Sequence, residues 1–185
     1  MSCSKKPHMA ADSAWPMTPK PLPDEALGSW LGRAAARYRI GVDELIAASG
    51  LEVDIGEQAS TWLAAVPRGE GAIRRLCHIS RLAQVDVQRM LTHKRLYSDV
   101  FPCCYRCLTL NPWEIESPYW PLRWMTGEAS LCDHPEIEVE NATLGMLSRA
   151  RNMRRLVKEL EHKRRSRMAD KSRRKGQFGV ASRVR

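Results

Sequence analysis

The sequence predicts a mainly α-helical protein with an amino-terminal helix-turn-helix-like unit, a small zinc-binding module and a carboxy-terminal amphipathic helix with a basic tail. Apolar residues recur at helical spacing on both sides of a central segment, and residues 101–136 hold four of the six cysteines. Residues 149–185 carry 15 Lys or Arg against 3 acids, whereas residues 1–148 carry 15 against 18. A chain of 185 residues suits one ordinary domain or two small ones.

The amino-terminal domain is predicted over residues 21–98, after a disordered lead-in at residues 1–20. The run "PLPDEALGSWLGRAAARYRI" has apolar residues at helical spacing, with Asp24 as the expected N-cap and Glu25 in the first turn. A second helix, "VDELIAAS", is expected to end at Gly50, since glycine readily takes the left-handed conformation of a helix C-cap.

A helix-turn-helix-like arrangement is predicted farther along this domain. A helical segment over residues 60–66 ends at Pro67, and "IRRLCHIS" and "DVQRML" follow, separated by the short "RLAQV". Six polar side chains could face a phosphate backbone or simply be a solvated helix face: Arg74, Arg75, Arg81, Gln84, Gln88 and Arg89. The sequence leaves both interpretations open.

The central segment, residues 99–140, has the ligand spacing of a metal site. Cys104 and Cys107 form a Cys-x-x-Cys pair, and Cys132 and His134 follow after 24 intervening residues. Three thiolates and one imidazole complete a tetrahedral shell with no open position, which is typical of structural zinc. A redox dithiol is the alternative, but it would need a strand-to-helix context that the flanking residues do not suggest.

Aromatic residues accompany the cysteines. A segment of this size cannot bury enough surface to fold unaided, so a metal and a few large rings would supply its stability. We expect the rings to form a small core over the metal, although with Arg106 and Arg123 nearby a base-stacking surface is the alternative. The expected core residues are Trp113, Tyr119, Trp120 and Trp124.

The carboxy-terminal region is predicted as an amphipathic helix over residues 141–162 and a basic disordered tail over residues 163–185. An apolar stripe runs through Leu144, Leu147, Met153, Leu156 and Leu160, and it disappears after Lys163. A basic extension on a mildly acidic body is typical of a polyanion-binding protein. The predicted nucleic-acid-binding residues are Arg149, Arg154, Arg155, Lys163, Arg164, Arg165, Arg167, Arg173, Arg174 and Lys175.

Two motifs resemble those of the TniQ family. The opening helix is similar to the family's Pro-x-Asp-Glu-Ser/Ala-Leu-x-Ser-Trp-Leu-x-Arg run, and the central segment is similar to its Cys-Pro-x-Cys-Leu, Tyr-x-x-x-x-Trp and Cys/His steps. The matching residues are Pro23, Asp24, Glu25, Leu27, Ser29, Trp30, Leu31, Arg33, Cys104, Cys107, Leu108, Tyr119, Trp124 and Cys132. One residue separates Cys132 from His134 where the family has two, and Cys103 is a possible substitute ligand.

The resemblance implies a non-catalytic adaptor that selects transposition targets, either a compact family member or a truncated relative. It would link a AAA+ ATPase regulator of the TnsC type to target DNA or to an RNA-guided effector. Its opening helix, with Trp30, Leu31 and Arg33, would dock the partner.

The alternative function is a stand-alone zinc-containing transcriptional regulator that reads DNA with residues 72–92. An enzyme is disfavoured, because the sequence has no glycine-rich phosphate loop and no paired carboxylates at acid–base spacing. No signal peptide or membrane span is recognisable, so we expect a cytoplasmic protein. The sequence leaves its oligomeric state open.

Overall fold

The computed structural model describes residues 14–54, 61–91, 100–110, 118–126 and 139–180, with side chains of the last helix described to Arg173. These residues are mainly helical, as predicted. The helices are α1 (Leu27–Tyr38), α2 (Val42–Ser49), α3 (Gly69–Ser80), α4 (Gln84–Arg89), α5 (Tyr105–Thr109), α6 (Leu122–Thr126), α7 (Leu144–Ala150) and α8 (Met153–Val180). The strands are β1 (Val53–Asp54), β2 (Val66–Pro67), β3 (Val100–Cys103) and β4 (Glu140–Thr143).

The short strands form two antiparallel pairs. Strand β1 pairs with β2, and β3 pairs with β4 in a register that sets Cys103 opposite Glu140. The predicted third helical segment is instead a single 3-10 turn, Trp62–Ala64, followed directly by β2. Pairing of β2 with β1 keeps this segment extended as it approaches Pro67.

Helix α1 lies at the centre of the fold and buries most of its circumference. Gly28 and Gly32 allow close approach, since an added Cβ would lie 2.1 Å from the Leu63 carbonyl oxygen and 2.6 Å from the Trp62 ring, respectively. The Trp62 indole N–H in turn donates to the Leu147 carbonyl at 3.1 Å. The 3-10 turn therefore joins α1 to α7.

The start of α1 differs from the prediction. Ala26 is the N-cap, and Asp24 lies outside the helix with a left-handed φ of 56°. Glu25 forms an isolated antiparallel bridge with Pro121 instead of occupying the first helical turn. Backbone hydrogen bonds from Ala26 to Trp120 and from Leu122 to Asp24 hold residues 24–26 against the segment at the start of α6, so α1 begins later than expected.

The predicted disordered lead-in is wrong for the residues described from Ala14 onward, while residues 1–13 lie outside them. Trp15 is 2% exposed and stacks on Trp30 with ring centroids 5.7 Å apart. Its indole N–H donates to the Ser49 hydroxyl at 3.0 Å, and its backbone N–H donates to the Ile79 carbonyl at 2.7 Å. One large ring therefore anchors an otherwise polar segment.

Helices α2 to α4 follow the predicted pattern more closely. Gly50 ends α2 in the left-handed conformation, which confirms its role as the C-cap. Helices α3 and α4 are separated by residues 81–83 and pack against each other. This is a helical hairpin of helix-turn-helix length; a DNA-reading role for it stays a prediction.

One hydrophobic core unites the described residues. The same buried cluster contains Trp30 of α1, Phe101 and Cys103 of β3, Trp120 just before α6, and Leu156 of α8. The described part of the cysteine segment therefore packs against the helical unit, although the sequence predicts a module with its own core.

The carboxy-terminal boundaries also differ from the prediction. Helices α7 and α8 replace a single helix over residues 141–162, because Arg151 takes a left-handed φ of 57° and a new helix begins at Met153. The Asn152 side-chain oxygen accepts the Arg155 N–H at 3.1 Å, and its amide donates to the Ile40 carbonyl at 2.8 Å. Helix α8 then continues to Val180, through most of the predicted disordered tail.

Candidate metal-binding and nucleic-acid-binding sites

The first predicted ligand pair lies where β3 passes into α5. Cys104 is the N-cap of α5, and its sulfur accepts the Cys107 backbone N–H at 3.5 Å. The two cysteines have Cys-x-x-Cys spacing within this turn, and an N–H donor to sulfur favours the thiolate that a metal needs. The local geometry is therefore compatible with a turn in which two cysteines bind one metal ion.

Cys103 and Cys104 are both buried, at 0% and 1% exposure. The Cys103 side chain lies in the core and its pKa is raised to about 12, mainly by burial and further by the neighbouring Cys104. Lys163 acts in the opposite direction. This environment favours a neutral thiol that serves as a small apolar side chain, so Cys104 is the better candidate for the first ligand.

The second predicted pair, Cys132 and His134, lies outside the described residues. Among the residues that are described, no three His, Cys, Asp or Glu side chains come together as a metal-binding group. The donor set of the complete proposal, soft sulfur with imidazole, suits zinc.

The predicted aromatic residues of the module are mostly core residues. Trp120 and Trp124 are 0% and 3% exposed and meet edge to face, with ring centroids 5.4 Å apart. Tyr119 is half-buried, and Trp113 lies outside the described residues. Burial of both described tryptophans argues against a base-stacking surface made from them.

A buried polar network fixes α1 to this aromatic segment. Arg33 donates to Glu25 at 2.7 Å, Ser29 donates to the other Glu25 oxygen at 3.1 Å, and the Trp120 backbone N–H donates to the Ser29 hydroxyl at 2.7 Å. Burial raises the pKa of Glu25 to about 7, although Arg33 opposes that shift. Part of the motif that resembles TniQ therefore has a structural role.

The expectation that Trp30, Leu31 and Arg33 dock a partner is wrong for direct contact. Trp30 and Leu31 are 0% exposed and Arg33 is 2% exposed. They are buried because α1 is covered on nearly all sides, which an apolar stripe alone does not reveal. Any partner must contact other residues of the helical unit.

The middle of α8 contacts β4 and α5, so the prediction of a free chain from residue 163 is wrong for these residues. Lys163 donates to the Asn141 carbonyl at 2.9 Å, and Arg167 forms an ion pair with the buried Glu140 of β4. Arg164 lies over the Tyr105 ring, 5.2 Å from its centroid. These cations continue the inward face that Met153, Leu156 and Leu160 begin.

Other predicted cations of α8 face outward. Arg154, Arg155, Arg165 and Arg173 are exposed, and Arg149 of α7 is exposed but pairs with Glu159 at 3.1 Å. The side chains of Arg174 and Lys175 lie outside the described ones. Lys158, which the prediction omitted, is also exposed, and its spacing three residues after Arg155 could have revealed it.

The polar residues of α3 and α4 divide into two groups. Arg75 donates to the Ser49 carbonyl at 2.8 Å, and Arg74 and Arg89 pair with Glu70 and Asp86. The other three, Arg81, Gln84 and Gln88, are exposed.

Comparison with known proteins gives one match. The family model for TniQ matches residues 16–178 of the 185-residue chain. No curated protein and no solved structure matches the chain. No helix of the described residues is long and apolar enough to span a bilayer.

Proposed function

This chain belongs to the TniQ family of transposition-associated target-selection adaptors, and from that premise we propose that it links a AAA+ ATPase regulator of the TnsC type to target DNA or to an RNA-guided effector. The adaptor acts by binding, without catalysing a reaction. The family match over most of the chain carries this proposal.

The outward face of α8 is the proposed nucleic-acid contact. Arg155, Lys158, Arg165 and Arg173 are all exposed and recur along one side of a helix that is about 42 Å long at 1.5 Å per residue. A row of cations on a rigid helix can follow a phosphate backbone by neutralising several phosphates, so the binding falls as salt rises.

The ATPase contact is proposed on the exposed side of α3 and α4. Since α1 is covered, these helices supply an accessible part of the amino-terminal unit, including Val85, which is 49% exposed. A contact here leaves α8 available for nucleic acid.

A structural zinc ion completes the proposed architecture. Cys104, Cys107, Cys132 and His134 would hold it, with Cys103 as the alternative to Cys104. The Cys104–Cys107 turn supports this proposal, and the ion would stabilise the cysteine segment.

The proposal is tested by separating the two binding activities. The variant Arg155→Gln/Lys158→Gln/Arg173→Gln should lose affinity for duplex DNA in a fluorescence anisotropy titration while still capturing the ATPase in a pull-down. Arg37→Gln/Arg39→Gln/Arg68→Gln removes the same charge from exposed residues outside α3, α4 and α8 and should leave both activities unchanged. Loss of ATPase capture with unchanged DNA affinity in the α8 variant would overturn the assignment.

A stand-alone regulator remains the second candidate, because α3 and α4 are joined by only three residues, 81–83. It requires a sequence-specific footprint from the purified protein alone. Uniform, salt-sensitive protection would favour the adaptor.

A further inference from the structure

We propose that Tyr105, Arg106, Arg164 and Arg165 form a binding surface for a nucleic-acid phosphate backbone where α5 meets α8. The inference rests on the proposed function and deepens it, because it places the cysteine turn beside the basic helix in one contact surface. We call these four residues the α5–α8 surface.

Tyr105 holds Arg164 in place. The guanidinium lies 5.2 Å from the ring centroid, and both side chains are partly exposed. Stacking on a ring engages the flat face of a guanidinium and leaves its N–H groups at the edge for planar oxygen acceptors. A phosphate is such an acceptor, and ordering the arginine beforehand reduces the entropy lost on binding.

Two further arginines adjoin this pair in sequence. Arg165 follows Arg164 on α8 and is 77% exposed, and Arg106 follows Tyr105 on α5 and is exposed. Glu161, an acid among the described residues of this region, pairs with Arg165. Arg106, Arg164 and Arg165 thus carry three positive charges against the one negative charge of Glu161.

Several described arginines outside this surface pair with carboxylates. Arg33, Arg74, Arg89, Arg123 and Arg149 each have a carboxylate within 4 Å, and Arg151 has two. The α5–α8 surface differs from these pairs because Arg164 lies against an aromatic ring, that of Tyr105, instead of pairing with a carboxylate of the described residues. Such a surface attracts a polyanion and positions its phosphates.

The body holds this surface rigidly. Lys163 and Arg167 flank the two arginines in sequence, and both bind β4, through the Asn141 carbonyl and the Glu140 carboxylate. Arg164 and Arg165 are thus presented from a fastened part of α8 close to α5.

The first test removes cations from exposed positions. Arg106→Gln/Arg165→Gln should lower duplex affinity roughly tenfold near 0.1 M salt and should reduce the slope of log affinity against log salt by about two. Arg74→Gln/Arg89→Gln removes the same charge from α3 and α4 and should have a smaller effect. An equal or larger loss in this control would overturn the proposal.

The second test predicts a gain, which a folding defect would not produce. Glu161→Gln releases Arg165 and removes a charge that repels phosphate, so affinity should rise and the salt slope should steepen. Glu70→Gln is the matched control, since Glu70 pairs with Arg74 at the same helical spacing on α3. No gain beyond that control would contradict the proposal.

Both tests use the full chain with a 24-base-pair DNA duplex and an RNA duplex of the same sequence. If the Arg106→Gln/Arg165→Gln variant loses affinity for both duplexes, the surface recognises the phosphates that DNA and RNA share. If it loses affinity for one duplex, the surface prefers that nucleic acid. Either result supports the proposed surface. If the α8 triple variant loses DNA affinity and keeps ATPase capture while Arg106→Gln/Arg165→Gln binds normally, this inference fails and the proposed function stands.

Discussion

Glu25 and Arg33 form an ion pair at 2.7 Å inside the protein, with both side chains almost completely buried. The same carboxylate also accepts hydrogen bonds from Ser29 and from the Leu22 backbone N–H. When a charge is buried, the stability of the fold depends strongly on each of the partners that bind it.

Arg33→Ala should therefore destabilise the protein by about 3–5 kcal/mol, because it leaves the Glu25 carboxylate buried without its counter-charge. Urea unfolding followed by circular dichroism measures this loss. Arg74→Ala, which breaks an exposed pair, should cost at most about 1 kcal/mol. Equal costs for the two variants would show that burial of the Glu25–Arg33 pair is unimportant.

The stability of the protein should depend on the protonation of Glu25. Its folded pKa is raised from 4.5 to about 7, so the folded state binds more protons than the unfolded state between these values. The Glu25 contribution to the free energy of unfolding is then fully present below about pH 4.5 and is lost as pH rises to about 7. Glu25→Gln should flatten this part of the stability–pH curve. An unchanged curve would assign the dependence to another group.

Gly28→Ala should be strongly destabilising, because the new methyl group would lie 2.1 Å from a backbone oxygen that cannot move without shifting the 3-10 turn. We expect a loss of about 3 kcal/mol or more, measured by thermal and urea unfolding. Gly71→Ala is the control: its Cβ meets no atom within 4 Å, and alanine should stabilise α3 by about 0.5–1 kcal/mol. Similar results for both would contradict the close approach of α1 to Leu63.

The purified protein should contain one zinc ion per chain. Cys107→Ser and Cys132→Ser should each lose the metal and lower the melting temperature, since the ion would stabilise the cysteine segment. Elemental analysis and calorimetry measure the two effects, and Cys77→Ser in α3 is the control. Cys103→Ser should keep the metal while Cys104→Ser loses it; the opposite pattern would make Cys103 the ligand.

The sequence predicted local features well and long-range ones poorly. The α2 C-cap at Gly50 and the buried residues Leu147, Met153, Leu156 and Leu160 follow from periodicity and turn chemistry. The Ser29–Trp120 contact joins residues 91 positions apart, which no local pattern encodes. The left-handed Arg151 that separates α7 from α8 likewise has no glycine or proline to announce it.

The candidate sites show the same division. Cys-x-x-Cys spacing predicted a compact sulfur-bearing turn, which the structure contains at Cys104 and Cys107. Counting cations predicted a basic carboxy-terminal region but could not separate Arg167, which pairs inside the body, from Arg155, which faces outward. Only the contact of α8 with Glu140 of β4 distinguishes them.

Glu140 lies opposite Cys103 in the β3–β4 pair and also forms an ion pair with Arg167 of α8. The β3–β4 pair therefore connects the cysteine turn with the middle of α8. A displacement of this pair would reach α8 through the Glu140 carboxylate and through the hydrogen bond from Lys163 to the Asn141 carbonyl.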